Sequence, residues 1–346
     1  MTPGGTAADI QLTGTVFLDM VFTGLAAPPG PGREVRASSL GVSPGGVANL
    51  AIALSRLGLR VRLDAAFGRD ANADYLWRTI GEQEGVDVSG SVRFDSWTTP
   101  ITVSLAYQAD RSMITYEERQ PAPPLEFLED GRPLAAAVFA YLGAQSPTWL
   151  PAARAAGVRI FADVGWDETE QWNEDDLLGL AHVDAFMPNC DEAMAYTRTE
   201  SPEAAAKALS ARVPLVVVKC GCDGAIAWRA GDAEPIVEPA IRVDAVDPTG
   251  AGDVFDGAFT FGLLAGWDLR DVLRFANLCA GLSVRHYGGS LSAPTWGEVA
   301  EWVGSDSGRA DAYGCLEPYF GLVAECAVPH RACRRSSSSG YGSGVG

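Results

Sequence analysis

Lysine is nearly missing from this chain. Of its 26 basic residues only Lys207 and Lys219 are lysines, and 44 acidic residues leave a formal net charge of −18. That deficit argues against nucleic acid or an anionic membrane as a partner, because both are gripped first by clustered positive charge. A polyanionic ligand gains no global attraction either, so its binding must rest on helix N-termini, backbone N–H groups or a divalent cation. Histidine is scarce as well. His182, His286 and His330 stand too far apart to suggest a ligand cluster, and no Ser/His/Asp or Cys/His pairing stands out. Seven scattered cysteines are too few for a disulfide framework, and the lone Cys220-x-Cys222 reads as small apolar residues at a strand end. No apolar run reaches the ~18 residues that cross a bilayer. Residues 1–9 lack a basic segment followed by an apolar stretch. With 47% hydrophobic and 20% charged residues over 346 positions, the expectation is a soluble, cytoplasmic protein of one large domain or two modest ones.

What is present is a βα rhythm from about 134 to 259. Residues 136–142, 158–162, 185–187 and 215–219 are short apolar runs, and segments such as 191–196 and 203–211 between them have helical spacing. Continuous apolar strands alternating with helices predict an α/β fold, a mostly parallel sheet covered on both faces. Ligands in such sheets bind beyond the C-terminal strand ends, where Asp163, Asn189, Gly221 and the 247–253 loop fall. The first half differs. Residues 101–107 and 113–116 flank the turn 108–111 as a hairpin, and 15–22 with 34–40 flank a Pro/Gly-rich stretch at 26–32. These strands, within about 15–42 and 95–118, predict a small β-sheet lid on a domain spanning 10–304. Residues 305–346 end in Ser/Gly and read as a disordered tail, with 319–324 docking locally.

The most informative string is Asp247-Pro-Thr-Gly-Ala-Gly-Asp253, followed by the apolar, helix-compatible run 254–259. A glycine turn before a helix lets phosphate approach unpartnered N–H groups and the positive end of the helix dipole. A carboxylate at that junction cannot bind phosphate, so its natural task is to take a proton from a hydroxyl that attacks it. No Gly-Lys-Ser/Thr follows, so this is not a Walker A loop. A second string, Gly45-Gly46-Val47-Ala48-Asn49, precedes an Ala-rich helical run.

Together these strings resemble the two signatures of the ribokinase/PfkB family of sugar kinases, and the resemblance covers roughly residues 10 to 302. It implies a ribokinase-like fold and ATP-dependent phosphorylation of a sugar or sugar-like alcohol. Asp253 would be the base, with the N–H groups of Gly250, Ala251 and Gly252 as anion hole. Asp19, Gly45, Gly46 and Asn49 would line the acceptor site. Asn189, Lys219, Gly221, Gly224, Thr249 and Asn277 would line the nucleotide site. The resemblance also places Mg²⁺ near Glu192 through water and a K⁺-type ion near Asp247, and implies a homodimer through the lid. Asn189 and Glu192 have the spacing of a helix capping box too, and one helix start can serve both roles. Asp163 and Arg111 are further candidates for phosphate or substrate contact. Position 17 is Phe where ribokinases often carry Asn, and the Lys-Gly insertion typical of ribokinases is missing from the Gly-Gly signature. Both departures argue against ribose itself; a nucleoside kinase with the same machinery is the alternative within enzymes, and a catalytically silent sugar sensor is the alternative from another class.

Overall fold

The computed structural model describes residues 8–107, 110–119, 121, 128–129, 132–143, 147–167, 169–286, 288–306 and 311–320. The chain enters with β1 (Ala8–Thr13), then leaves for a separate small sheet through β2 (Val16–Leu25) and β3 (Ser39–Gly46). Helix α1 (Val47–Arg56) leads back to β4 (Val61–Asp64). β5 (Ala66–Gly68) and β6 (Val92–Phe94) pair beside α2 (Ala71–Trp77). β7 (Ile101–Tyr107) and β8 (Asp110–Tyr116) rejoin the small sheet, and β9 (Leu128–Glu129) pairs with β10 (Arg132–Pro133). The regular half runs β11 (Ala135–Leu142), α3 (Leu150–Ala155), β12 (Arg159–Val164), β13 (Ala185–Phe186), α4 (Cys190–Thr197) and α5 (Pro202–Leu209). It continues through β14 (Leu215–Lys219), β15 (Ala225–Arg229) and β16 (Ile236–Glu238) into α6 (Ala251–Ala265), α7 (Leu269–Ser283) and α8 (Trp296–Gly304).

The large sheet has the order β16-β15-β14-β13-β12-β11-β1-β4. From β14 to β4 every neighbouring pair is parallel, and β15 and β16 add an antiparallel edge. Strand residues alternate between two cores. Ala137 and Phe139 of β11 and Phe161 of β12 join α1, α6 and α7, whereas Val138, Ala140, Ile160 and Ala162 join α3 and α5. This two-sided burial explains why these strands read as unbroken apolar runs, and it matches the expected mostly parallel sheet. No helix among the described residues is long and apolar enough to cross a membrane.

The small sheet has the order β3-β2-β7-β8. It is not two separate hairpins: β2 pairs parallel with β7 in its middle. β3 also begins later than the expected 34–40 and runs through the Gly-Gly signature. The reason is register, since Thr23↔Ser39 through Val16↔Gly46 is one unbroken antiparallel ladder. Packed chain continues beyond residue 304. Leu316 and Tyr319 are buried, and Tyr319 meets Trp267 and Trp296 with ring centroids at 5.2 and 5.0 Å. Of the expected docking stretch, residues 321–324 lie outside the described residues.

Candidate active site

The register of the small sheet sorts its side chains onto two chemically distinct faces. Asp19 stands beside Ser43 on β3 and Thr102 on β7, with Thr115 beyond. The opposite face is apolar in consecutive tiers, such as Met20 with Val42, Val103 and Ile114, and Phe22 with Leu40 and Leu105. The polar face meets the large sheet's ligand edge: Ser290 Oγ donates to the Pro44 carbonyl at 2.6 Å. A side chain at Gly289 would touch Ser43 Oγ, Thr249 and Asn49. The small sheet is thus a lid whose inner wall carries hydrogen-bonding groups.

Asp253 lies in the first turn of α6, behind Gly250 in the left-handed conformation (φ 75°). That backbone suits glycine, and a Cβ there would sit 3.3 Å from the Asn49 amide carbon. Both oxygens of Asp253 are held. Asn49 Nδ2, from the start of α1, donates to Oδ2 at 3.0 Å, and Tyr141 O–H, from the end of β11, donates to Oδ1 at 3.1 Å. Burial pushes the Asp253 carboxyl up to about 6, opposed by the Lys219 ammonium and the Asn49 hydrogen bond. It is mainly ionised at neutral pH, yet only just, which suits a general base. Of the expected anion-hole donors, Ala251 N–H is engaged by the Pro248 carbonyl at 3.2 Å.

Asp19 is buried across from Asp253. Burial first, then the Asp253 and Asp247 charges, raise its carboxyl to about 7. Gly45 is required beside it, because a Cβ there would fall 2.0–2.3 Å from the Asp19 carboxyl atoms. At Gly46 (φ 62°) a Cβ would strike the Thr15 carbonyl at 2.3 Å. Near these residues Ser43 Oγ and Asn49 Oδ1 are buried without a hydrogen-bond partner. Both atoms have hydrogen-bonding capacity left for a ligand.

Beneath α6 lies a buried ion cluster. Lys219, ending β14, donates to Asp163 at 2.7 Å and to both oxygens of Asp256 at 2.9 and 3.0 Å. Burial pulls the Lys219 ammonium down, but the two carboxylates outweigh it and leave it raised. A Cβ at Gly252 would lie 3.7 Å from Nζ, so the ammonium sits directly under the helix start. Lys219 is also paired across to Asn189. Asn189 and Glu192 form the capping box of α4, each side chain bonding the other's backbone N–H at 2.9 Å. Burial and then the Asp163 charge raise Glu192 to about 7.

Other expected residues have structural partners. Asp247 accepts from Thr249 N–H at 3.0 Å and Gly288 N–H at 3.4 Å, tying two loops together. Asn277 donates to the Glu238 and Pro239 carbonyls at 2.9 and 3.3 Å. Gly224 (φ 96°) packs on the same segment, where a Cβ would meet the Glu238 carbonyl at 2.2 Å; Gly221 (φ 56°) faces open space. Arg111 lies on β8, with its side chain outside the described residues. Among the described residues no group of three His, Cys, Asp or Glu side chains is arranged to hold a metal alone. The buried Glu192 carboxyl fits a Mg²⁺ that brings phosphate oxygens and water as its remaining ligands.

Sequence reasoning assigned no role to Tyr141, Asp256 or Ser43. Each sits inside an apolar or signature run, and the one available signal was a polar tip where a strand or helix is otherwise buried.

A family model for pfkB family carbohydrate kinases matches residues 13–296. Over 280 residues the chain is 28% identical to a 5-dehydro-2-deoxygluconokinase of Shouchella clausii, covering 75% of this chain and 85% of that one. Over 267 residues it is 29% identical to a nucleoside kinase of Methanothermobacter thermautotrophicus, covering 74% and 83%. The structure of Arabidopsis thaliana ribokinase complexed with ribose and ATP superposes with a TM-score of 0.71 at 25% identity, covering 86% and 98%.

Proposed function

Because this chain belongs to the pfkB family of carbohydrate kinases, we propose that it transfers the γ-phosphoryl group of ATP to a hydroxyl of a sugar or sugar-like alcohol. The observation that carries this is Asp253, held at a helix N-terminus, buried, raised to about 6 and facing Asn49 and Asp19. Asp19 accepts hydrogen bonds from hydroxyls of the acceptor, which also satisfy Ser43 Oγ and Asn49 Oδ1. The reacting hydroxyl approaches Asp253 and gives it its proton. Its oxygen bonds to the γ-phosphorus as the bond to the β-phosphate bridging oxygen breaks, releasing ADP.

N–H groups of Gly250, Ala251 and Gly252 steady the charge on the transferring phosphoryl, with Ala251 exchanging its Pro248 carbonyl for a phosphate oxygen. Glu192 would place a Mg²⁺ through water, and the ion would supply neutralisation of phosphate charge. Asn189, Lys219, Gly221, Gly224, Thr249 and Asn277 shape the nucleotide side: Lys219 from beneath the helix, Gly224 and Asn277 by fixing segment 238–240, the rest from the rim. The loops that Asp247 ties together would be the place for a K⁺-type ion. Closing the lid removes water from the cleft. The reading implies a cytoplasmic enzyme, where ATP is supplied.

The lid's outer face favours a homodimer formed lid to lid. Leu40, Ile114 and Tyr116 are 51%, 66% and 47% exposed on that face. A groove of about 540 Å³ lined by Phe22, Leu25, Val35 and Leu105 adjoins Leu40. A contiguous apolar face of this kind marks an association surface.

The test is ADP release from Mg·ATP, with and without K⁺, across neutral sugars, sugar acids and nucleosides. Acceptor-dependent release establishes the kinase, and the acceptor decides between sugar and nucleoside. Binding of sugar or ATP without turnover on any acceptor would identify a silent sensor instead.

A further inference from the structure

Tyr141 belongs to none of the signature strings, yet its hydroxyl reaches the reacting carboxylate. It is the penultimate residue of β11, opposite Asp163 on β12, at the C-terminal strand edge where ligands bind. The two neighbours have different partners: Asp163 accepts from Lys219, and Tyr141 donates to Oδ1 of Asp253. Asn49 holds the other oxygen from the opposite side. Two donors from different elements, one on each oxygen, fix both the rotamer and the plane of the carboxylate. Each oxygen keeps a lone pair for the incoming hydroxyl.

Resting on the reading of Asp253 as the base, we infer that Tyr141 is a positioning residue for phosphoryl transfer, whose O–H orients the Asp253 carboxylate and keeps it ionised at working pH. Deep burial, then the charges of Asp253, Asp163 and Asp256, hold the phenol well above its ordinary range. It therefore keeps its proton and acts toward Asp253 only as a donor. A hydrogen bond to the charged form of a carboxylate lowers its acidity constant's midpoint. The other groups acting on Asp253 are Lys219 from β14 and Asn49 from α1, which favour ionisation, and Asp163 from β12, which opposes it. Asp19 from β2 faces it across the cleft and Asp256 lies one turn along α6. With three carboxylates around it, Asp253 depends on its donors to stay ionised.

The experiment is a pH titration of full-length protein labelled with [4-¹³C]aspartate, in which the signal absent from Asp253→Asn belongs to Asp253. Tyr141→Phe should raise that midpoint from near 6 by about one pH unit, tenfold in the acid constant. The acid limb of kcat/KM should move upward by the same amount, with KM for ATP unchanged. 3-Fluorotyrosine placed at 141, a nearly isosteric and stronger donor, should move both downward, and it decides the matter if Tyr141→Phe does not fold. Identical midpoints in all three proteins would overturn the role given to Tyr141. Near-normal turnover by Asp253→Asn would instead sink the base, while the titration would still report whether Tyr141 governs that carboxyl.

Discussion

Lys219→Met removes the one cation of the cluster under α6 while keeping the length of the side chain. Asp163 and Asp256 are 7% and 0% exposed, so both are left buried with their charge-assisted bonds gone. Deleting one member of a buried ion cluster costs about 3–5 kcal/mol, because the remaining charges cannot return to water. At about 2–4 °C per kcal/mol for a chain of 150–250 residues, thermal unfolding should drop by roughly 6–20 °C, nearer the lower end for this longer chain.

The loss should depend on pH. Burial already raises Asp256 well above the ordinary carboxylate range, and Lys219 is the charge that opposes it. A carboxyl whose folded value lies above its unfolded value contributes stability at low pH that is lost as pH rises through the folded value. The gap between wild type and variant should therefore widen toward pH 8 and narrow toward pH 5. Adding Asp256→Asn to Lys219→Met should recover part of the loss at pH 8. Calorimetry at the two pH values checks all of this. A fall of less than about 2 °C, or a gap unchanged by pH, would refute the claim that Lys219 neutralises a buried acid pair.

Three further outcomes follow from the geometry. Gly45→Ala must push the Asp19 carboxyl aside, so KM for the acceptor should rise by about tenfold or more with KM for ATP unchanged; steady-state kinetics in both substrates checks this. Asp253 must be ionised to accept a proton, so kcat/KM, which reports the free enzyme, should fall as pH drops through about 6. A flat profile down to pH 5 would exclude a base of that strength. Ile114→Glu places charge on the apolar lid face and should convert a dimer into monomers in sedimentation or light scattering; a wild-type monomer at micromolar concentration would remove the proposed interface.

Much of this was legible in the residues. The apolar runs at 136–142 and 215–219 became β11 and β14 nearly unchanged, because a parallel strand buried on both faces needs such a run. Asn49 and Asp253 stand 204 positions apart in sequence, yet two separate signatures pointed to them and the fold brings them to 3.0 Å. A glycine in sequence usually signals a demand on φ, as at Gly46 (φ 62°). At Gly45 the reason is instead the Asp19 carboxylate, a contact made across strands. The parallel pairing of β2 with β7 and the clustering of Tyr141, Asp163 and Asp256 are likewise long-range facts with no local period to announce them. Tyr319 opens the stretch expected to dock locally, and its ring does pack on the distant Trp267 and Trp296, showing how a single aromatic side chain anchors a segment.

The most direct test of the central claim is single-turnover transfer of the γ-phosphoryl group from Mg·ATP to the acceptor found in the panel, by wild type and by Asp253→Asn. The account predicts a loss of about 10²–10⁴ in the rate of transfer, with ATP binding and thermal stability little changed. Transfer by the variant at a near-normal rate would contradict it.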